Sequence, residues 1–236
     1  MSSYEVVVSH YNEDLTWLQT QFPIDKLHVY CKGGPPNINC KYSQLPNVGR
    51  EAHTFLHYII ERYDSLPDIV FFTQGRIDDH GLITSNINYL RMDNIYEKMI
   101  NCIITHRYLT SPIYRGIGPV DDHVIPNDNH NQYMRPSPYT IKEWIRRYVN
   151  STTDFDKVKY MFITSTMTIR KEHILSRSKQ YYMDLIEQVS DCNLPEEAYY
   201  FEMAWYYIFN LDKRPILRTL FSYKNPFTYT IYNTIK

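Results

Sequence analysis

The chain opens on Glu5-Val6-Val7-Val8-Ser9, a short β-branched run that stops at the polar stretch His10-Tyr11-Asn12-Glu13-Asp14. Leu15, Trp17 and Leu18 then begin an amphipathic segment, so the pattern predicts a strand, a loop and a helix. Leu27-His28-Val29-Tyr30-Cys31 predicts a second strand, broken by the turn-forming run Lys32-Gly33-Gly34-Pro35-Pro36. From Gly49 the apolar residues Ala52, Phe55, Leu56, Ile59, Ile60 and Tyr63 recur at the i, i+3, i+4, i+7 spacing of a helix with one buried face. That helix ends before Pro67. Asp68-Ile69-Val70-Phe71-Phe72-Thr73 is continuously apolar after its first residue, as a parallel strand covered on both faces would be, and it stops at Gln74-Gly75. The β-α-β-α-β order predicts an α/β domain, a mainly parallel central sheet flanked by helices, with right-handed crossovers.

The remainder is less regular. The stretch from about Arg107 to Pro138 is rich in Pro, Asn, Asp and His and reads as a long loop of the functional kind. Past it the pattern predicts a short helix over Thr140 to Val149 and a strand over Tyr160 to Thr164. Ile174, Leu175, Tyr181, Tyr182, Leu185, Ile186 and Val189 predict one long amphipathic helix, and Pro195 opens another carrying Phe201, Trp205, Ile208 and Phe209. The tail from Phe221 reads as a strand or a surface wrap. With no internal repeat or low-complexity tract, a single domain over residues 1–236 is expected.

Composition narrows the function. Of 236 residues only 7 are glycine, against a usual share of about 7%, while 23 are tyrosine. Gly116-x-Gly118 lacks a third glycine and no glycine precedes a Lys-Ser or Lys-Thr pair, which excludes a P-loop and the usual dinucleotide turn. A balance of 25 basic and 26 acidic residues gives no basic footprint, so no nucleic-acid partner is expected. No apolar run is long enough to span a bilayer, and Met1 to Glu5 lacks a signal-peptide layout. An intracellular, cytoplasmic protein is expected. The 4 cysteines show no C-x-x-C spacing and read as free thiols in a reducing compartment.

In open α/β sheets ligands bind beyond the carboxyl ends of the strands. Three such ends carry polar clusters: Ser9 to Asp14, Lys32 to Gly34, and Gln74 to His80. Asp78, Asp79 and His80 are either oxygen and nitrogen ligands for a divalent cation or a solvated turn with a helix N-cap at Asp79. A second Asp-Asp-His occurs at Asp121, Asp122 and His123. Arg50, at a helix start, either neutralises a phosphate or forms a surface ion pair. His53 and His57, spaced i, i+4 without the Glu of H-E-x-x-H, are either a metal pair or the polar flank of the helix. Trp17, Trp144 and Trp205 are either stacking platforms or core, with core the default.

The run Val6-Val7-Val8-Ser9-His10-Tyr11-Asn12-Glu13-Asp14-Leu15-x-Trp17-Leu18 resembles the opening of GT-A glycosyltransferases, where a first strand ends in a "Y-N-E" loop touching the donor nucleotide. Asn47-Val48-Gly49-Arg50-Glu51-Ala52-His53, Leu66-Pro67-Asp68-Ile69-Val70-Phe71-Phe72-x-Gln74-Gly75, Asp79-His80 and the late Phe201-Glu202-x-x-Trp205 resemble a group of glycosyltransferase-like domains found in fungi, bacteria and large DNA viruses of the chlorella virus type. The resemblance spans most of residues 4–210. It implies a GT-A fold, a UDP- or GDP-sugar donor, a glycan or glycoprotein acceptor, and Mn or Mg. It also implies a nucleotide-binding half over 1–106 and an acceptor-side half over 107–236, and, were the protein viral, the host cytoplasm. By that resemblance His10, Tyr11, Asn12, Lys32, Asn47, Arg50, Gln74 and Gly75 hold the donor, Asp78, Asp79 and His80 hold the metal, and Glu202 is the base, with Glu196, Glu197 and Asp191 behind it.

The chain departs from the GT-A pattern where Asp-x-Asp would stand, reading Gln74-Gly75-Arg76 instead. Either Asp78, Asp79 and His80 take over that role, or Arg50, Arg76 or Lys32 neutralises the donor diphosphate. Glu202 is either the base or a carboxylate in a structural ion pair. Two other classes stay open: a metal-dependent hydrolase using the two Asp-Asp-His triplets, and a non-catalytic sugar-binding protein on the same fold.

Overall fold

The computed structural model describes residues 3–76, 134–153 and 166–210, together with the backbone of four short strands at 113–114, 160–161, 219–222 and 230–233. The expected opening holds. Strand β1 (Tyr4–His10), helix α1 (Thr16–Gln21), strand β2 (Leu27–Cys31), a three-residue strand β3 (Tyr42–Gln44), helix α2 (Arg50–Arg62) and strand β4 (Ile69–Gln74) follow in order. The later part holds β5 (Ile113–Tyr114), α3 (Ile141–Trp144) running into a π turn (Ile145–Val149), β6 (Tyr160–Met161), β7 (Met167–Arg170), α4 (Lys171–Ile174), α5 (Lys179–Glu187), α6 (Glu197–Ile208), β8 (Thr219–Ser222) and β9 (Thr230–Asn233).

The central sheet has the order β3-β2-β1-β4-β7. β1 pairs in parallel with β2 and β4, β2 in parallel with β3, and β7 lies antiparallel on β4. This is a Rossmann-like α/β domain. Because side chains alternate across a strand, Val6, Val8, Val29 and Phe71 face α1 and pack with Leu15, Leu18 and Phe22. Val7, Tyr30, Val70 and Phe72 face the other way, into the larger core with Phe55, Leu56 and Ile59 of α2, Leu185 of α5 and Phe201 and Trp205 of α6. Both faces of β4 are covered, which is why it reads as an unbroken apolar run.

Three expectations need correction or extension. The continuous helix over Ile174 to Val189 is two helices, because Ser178 accepts a hydrogen bond from Tyr181 N and caps a new start at Lys179. The sheet also has an antiparallel member, β7, and a short edge strand, β3, neither of which the apolar pattern predicts. The tail contributes an antiparallel strand pair, β8 with β9. The strand over Tyr160 to Thr164 is described only at β6, which pairs with β5 inside the stretch read as loop.

Among the described residues no helix is long and apolar enough to cross a membrane.

Candidate functional site

The chain runs from β1 outward to β2 and β3, then returns through α2 to β4 on the other side of β1, so the topological switch point lies between β1 and β4. Ligands of such sheets sit outside the carboxyl ends there. The described parts of the three strand-end clusters converge. Gly75 N donates to Ser9 O at 2.8 Å, Lys32 N donates to His10 O at 2.8 Å, and Trp17 Nε1 donates to Gly75 O at 2.8 Å.

His10 is almost fully buried. Its Nε2 lies 3.1 Å from the Glu13 carbonyl, which can only accept, so Nε2 carries the proton and Nδ1 accepts from the Cys31 thiol at 3.3 Å. Burial pushes that thiol up to about 11, which keeps it a donor. His10 therefore holds the loop from beneath, and Tyr11, 49% exposed, is the ring the loop presents. Asn12 Oδ1 accepts from Gly34 N at 2.9 Å and ties this loop to the end of β2. Gln74 is partly buried at the end of β4, and a Cβ at Gly75 would lie 2.8 Å from Glu13 Oε2, the free end of a side chain that would have to move aside.

Lys32 is 8% exposed, and its Nζ donates to the carbonyls of both Val48 and Arg50. Burial lowers its pKa to about 7, against the opposing pull of Glu51. Between those two carbonyls Gly49 has φ 60 and Arg50 φ 48, two successive left-handed residues. The second is unusual for a side chain of this size, and the ammonium grip explains how it persists. Asn47 is exposed in the turn just before them.

Arg50 Nη1 donates to the Tyr199 hydroxyl at 2.7 Å, its guanidinium lies 5.0 Å from that ring's centroid, and its Nε is 3.7 Å from Glu51 Oε2. Glu51 is buried, and its charge acts on the Glu202 carboxyl of α6. Burial, then the charge of Glu51, push Glu202 up to about 8, with Arg50 acting the other way. Lys32, Arg50 and Glu202 thus belong to one cluster at the start of α2. Within it Arg50 is already answered by Glu51, and Lys32 by two carbonyls.

His53 is 7% exposed, stacked on His57 with ring centroids 6.3 Å apart, and its Nδ1 has no hydrogen-bond partner among the described residues. Burial, helped by Lys32 and His57, lowers its pKa to about 4. No group of three or more His, Cys, Asp or Glu among the described residues is placed to hold a metal ion. These residues alone do not fit the divalent cation that the resemblance implies. Asp78, Asp79 and His80, like Asp121, Asp122 and His123, lie outside the described residues.

The three reserve carboxylates serve structure. Glu196 accepts from Ser137 N and the Tyr200 hydroxyl, both at 2.8 Å, while Glu197 and Asp191 pair with Arg135 at 2.9 and 2.8 Å. Trp144 and Trp205 are fully buried in the larger core.

The match to a family model covers residues 6–218, which takes in every strand end and both helices of this cluster. The chain belongs to the DUF3431 family. The family is described as a protein of unknown function. No curated protein and no solved structure matches the chain.

Reading the sequence missed Glu51 and Tyr199. Both were open to discovery: Glu51 directly follows Arg50, and Tyr199 stands three residues before Glu202, on the same helix face.

Proposed function

We propose that this DUF3431 chain is a glycosyltransferase that moves a sugar from a UDP- or GDP-sugar to a glycan or glycoprotein acceptor. The observation that carries the reading is the meeting of Glu202 with Arg50 and Glu51 beside the end of β2, next to a switch-point crevice whose loop presents Tyr11. The sheet order suits a nucleotide, and the lack of glycine-rich phosphate loops leaves the nucleotide to side chains, with the Tyr11 ring available to stack on the base. The resemblance of the Val6 to Leu18 block to GT-A glycosyltransferases, and of the Asn47 to His53 and Phe201 to Trp205 blocks to glycosyltransferase-like domains, points the same way.

In the proposed transfer the Glu202 carboxylate takes the proton of an acceptor hydroxyl. The acceptor oxygen forms a bond to the anomeric carbon as that carbon's bond to the diphosphate oxygen breaks, and the nucleoside diphosphate leaves with the bonding pair. Charge grows on the leaving phosphate as this happens, so fixed cationic or N–H groups near the strand ends would stabilise the transition state.

A thermal-shift panel tests the reading, with UDP- and GDP-sugars, Mn alone and free glycans as ligands. Stabilisation by a nucleotide sugar, together with its turnover, is expected. Stabilisation by the metal alone would instead favour the hydrolase, and stabilisation by free glycan only would favour the non-catalytic sugar-binding protein.

A further inference from the structure

Lys32 stands just past β2, where its backbone N–H donates to His10 O at 2.8 Å, and its buried ammonium reaches on to the start of α2. There it donates to the carbonyls of Val48 and Arg50, the two that bracket the left-handed pair Gly49 and Arg50. On a right-handed helix, carbonyls two positions apart are turned about 200° from each other, so one ammonium would not bridge them. The two bonds and the left-handed pair go together. We propose that Lys32 is a positioning residue for Arg50: by holding the Val48 and Arg50 carbonyls on one ammonium it keeps Arg50 left-handed, and that backbone turn aims the Arg50 guanidinium at Tyr199 of α6. Where substrate is concerned this rests on the glycosyl-transfer reading; the placement of Arg50 does not.

The two left-handed residues differ in what they need. Glycine takes a positive φ without steric cost, and Gly49 is fixed from the far side: its N–H donates to Cys192 O at 2.8 Å, and a Cβ there would lie 2.2 Å from Val189 O. Arg50 carries a Cβ and still has φ 48, about 110° from the helical value near −63°. A side chain of this kind stays there only when its surroundings hold it. Relaxing φ would swing the Arg50 side chain by that angle relative to the pinned Gly49. As it stands, Arg50 Nη1 donates to the Tyr199 hydroxyl at 2.7 Å with the guanidinium 5.0 Å from the ring centroid. Lys32 has its own reason to stay, because a buried ammonium without those two carbonyls would be costly.

On the glycosyl-transfer reading, Arg50 is a cation whose place is set before substrate arrives. Such a group stabilises charge growing on a leaving diphosphate without having to reorganise. Removing Lys32 would leave that cation present but unplaced, so the loss should fall on the chemical step more than on donor binding.

The test follows the Arg50 Nε–H resonance of the full chain by NMR, assigned through its loss in Arg50→Met. Tyr199→Leu removes the ring and shows where that resonance lies without it. In Lys32→Met, which keeps an unbranched apolar stem and loses the ammonium, the resonance should move toward the Tyr199→Leu position. A resonance that stays at its wild-type position in folded Lys32→Met overturns the proposal, since a lysine that only stabilised the chain would leave Arg50 on Tyr199. Lys32→Met is also made in an Arg50→Gly background, where the left-handed turn needs no grip. Urea unfolding should show the substitution lowering the folding constant about fivefold to a hundredfold more in the wild type than in that background. Folding of Lys32→Met in the Arg50→Gly background alone supports the proposal. An equal or larger loss in that background, or failure to fold in both, overturns it. Nucleotide-sugar turnover gives the last arm. Lys32→Met should lower kcat about tenfold to a hundredfold with a smaller change in KM, and adding it to Arg50→Met should cost nothing further. Unchanged kcat, or losses that multiply, overturn the role in transfer. A chain whose Arg50 resonance moves as expected yet neither binds nor turns over any nucleotide sugar defeats the glycosyl-transfer reading, while the placement of Arg50 by Lys32 stands.

Discussion

Arg50 reaches Tyr199 across 149 positions of sequence, donating to its hydroxyl at 2.7 Å while lying over its ring at 5.0 Å. This contact joins the start of α2 to α6 on the side where Glu51 and Glu202 meet. It gives the cation of the cluster a fixed place.

Two substitutions separate the parts of that contact. Tyr199→Phe keeps the ring and loses the hydroxyl, and should cost about 1 kcal/mol in urea unfolding. Arg50→Met removes the cation in contact with Glu51, and should cost about 2 kcal/mol once screening at the 34% exposed arginine is allowed for. An equal cost for both would mean that the hydroxyl bond, and not the charge, is what matters.

Adjacent glycines after β2 give a sharper contrast. A Cβ at Gly33 would sit 2.2 Å from the Tyr11 carbonyl, which is backbone and cannot swing away, whereas one at Gly34 would meet only Asn12 Oδ1 at 3.3 Å. Gly33→Ala should destabilise the chain by about 1–3 kcal/mol and Gly34→Ala by less than about 0.5 kcal/mol. Chemical denaturation of the two variants decides it. Comparable losses would show that the loop shifts as a whole.

Legibility in the sequence followed from how local the cause was. β1, β2, α2 and β4 show in the apolar pattern because each buries a full face, and Val7 and Phe72 on one side against Val6 and Phe71 on the other obey the period of two. β7 did not show: Met167-Thr168-Ile169-Arg170 has only four residues, and its partner is fixed by pairing with β4. The break between α4 and α5 was written as Ser178 three residues before Tyr181, but the apolar spacing on either side ran through it unbroken. For the candidate site, Lys32, Arg50 and Glu202 were legible as charged residues at strand or helix ends. Their mutual arrangement was not, because it depends on α6 returning over α2. Asp78, Asp79 and His80 lie outside the described residues.

At the opposite end of β1, Glu5 supplies a pH dependence. Burial raises its pKa, but hydrogen bonds from His28 and Tyr58 and the charges of His28 and Arg62 outweigh that and hold it down at about 2. The folded carboxylate therefore binds fewer protons than the unfolded one between about 2 and the ordinary 4.5. Its contribution is present above 4.5 and is lost as pH falls toward 2. Glu5→Gln should be less stable than wild type near neutral pH, and the gap should close across that window. Urea midpoints measured from neutral pH down to about 2 test this. A gap that stays constant would mean the loss is one of packing against Tyr58.

Tyr11 ties the loop geometry to the proposed donor. The ring is 49% exposed, and the atoms that hold the loop belong to its neighbours and its own backbone: His10 beneath, Asn12 to Gly34, and Tyr11 N donating to Glu13 Oε2 at 2.6 Å. Removing the ring should therefore leave stability within about 0.5 kcal/mol. A base stacked on an aromatic ring is worth about 1–3 kcal/mol, so Tyr11→Ala should weaken binding of a UDP- or GDP-sugar roughly tenfold to a hundredfold. Tyr11→Phe should retain most of the affinity, because stacking needs the ring face and not the hydroxyl. Calorimetric titration of the three proteins with one donor gives the comparison. Unchanged affinity in Tyr11→Ala would take the nucleotide away from this loop. An equal loss in Tyr11→Phe would replace stacking with a hydrogen bond from the phenol.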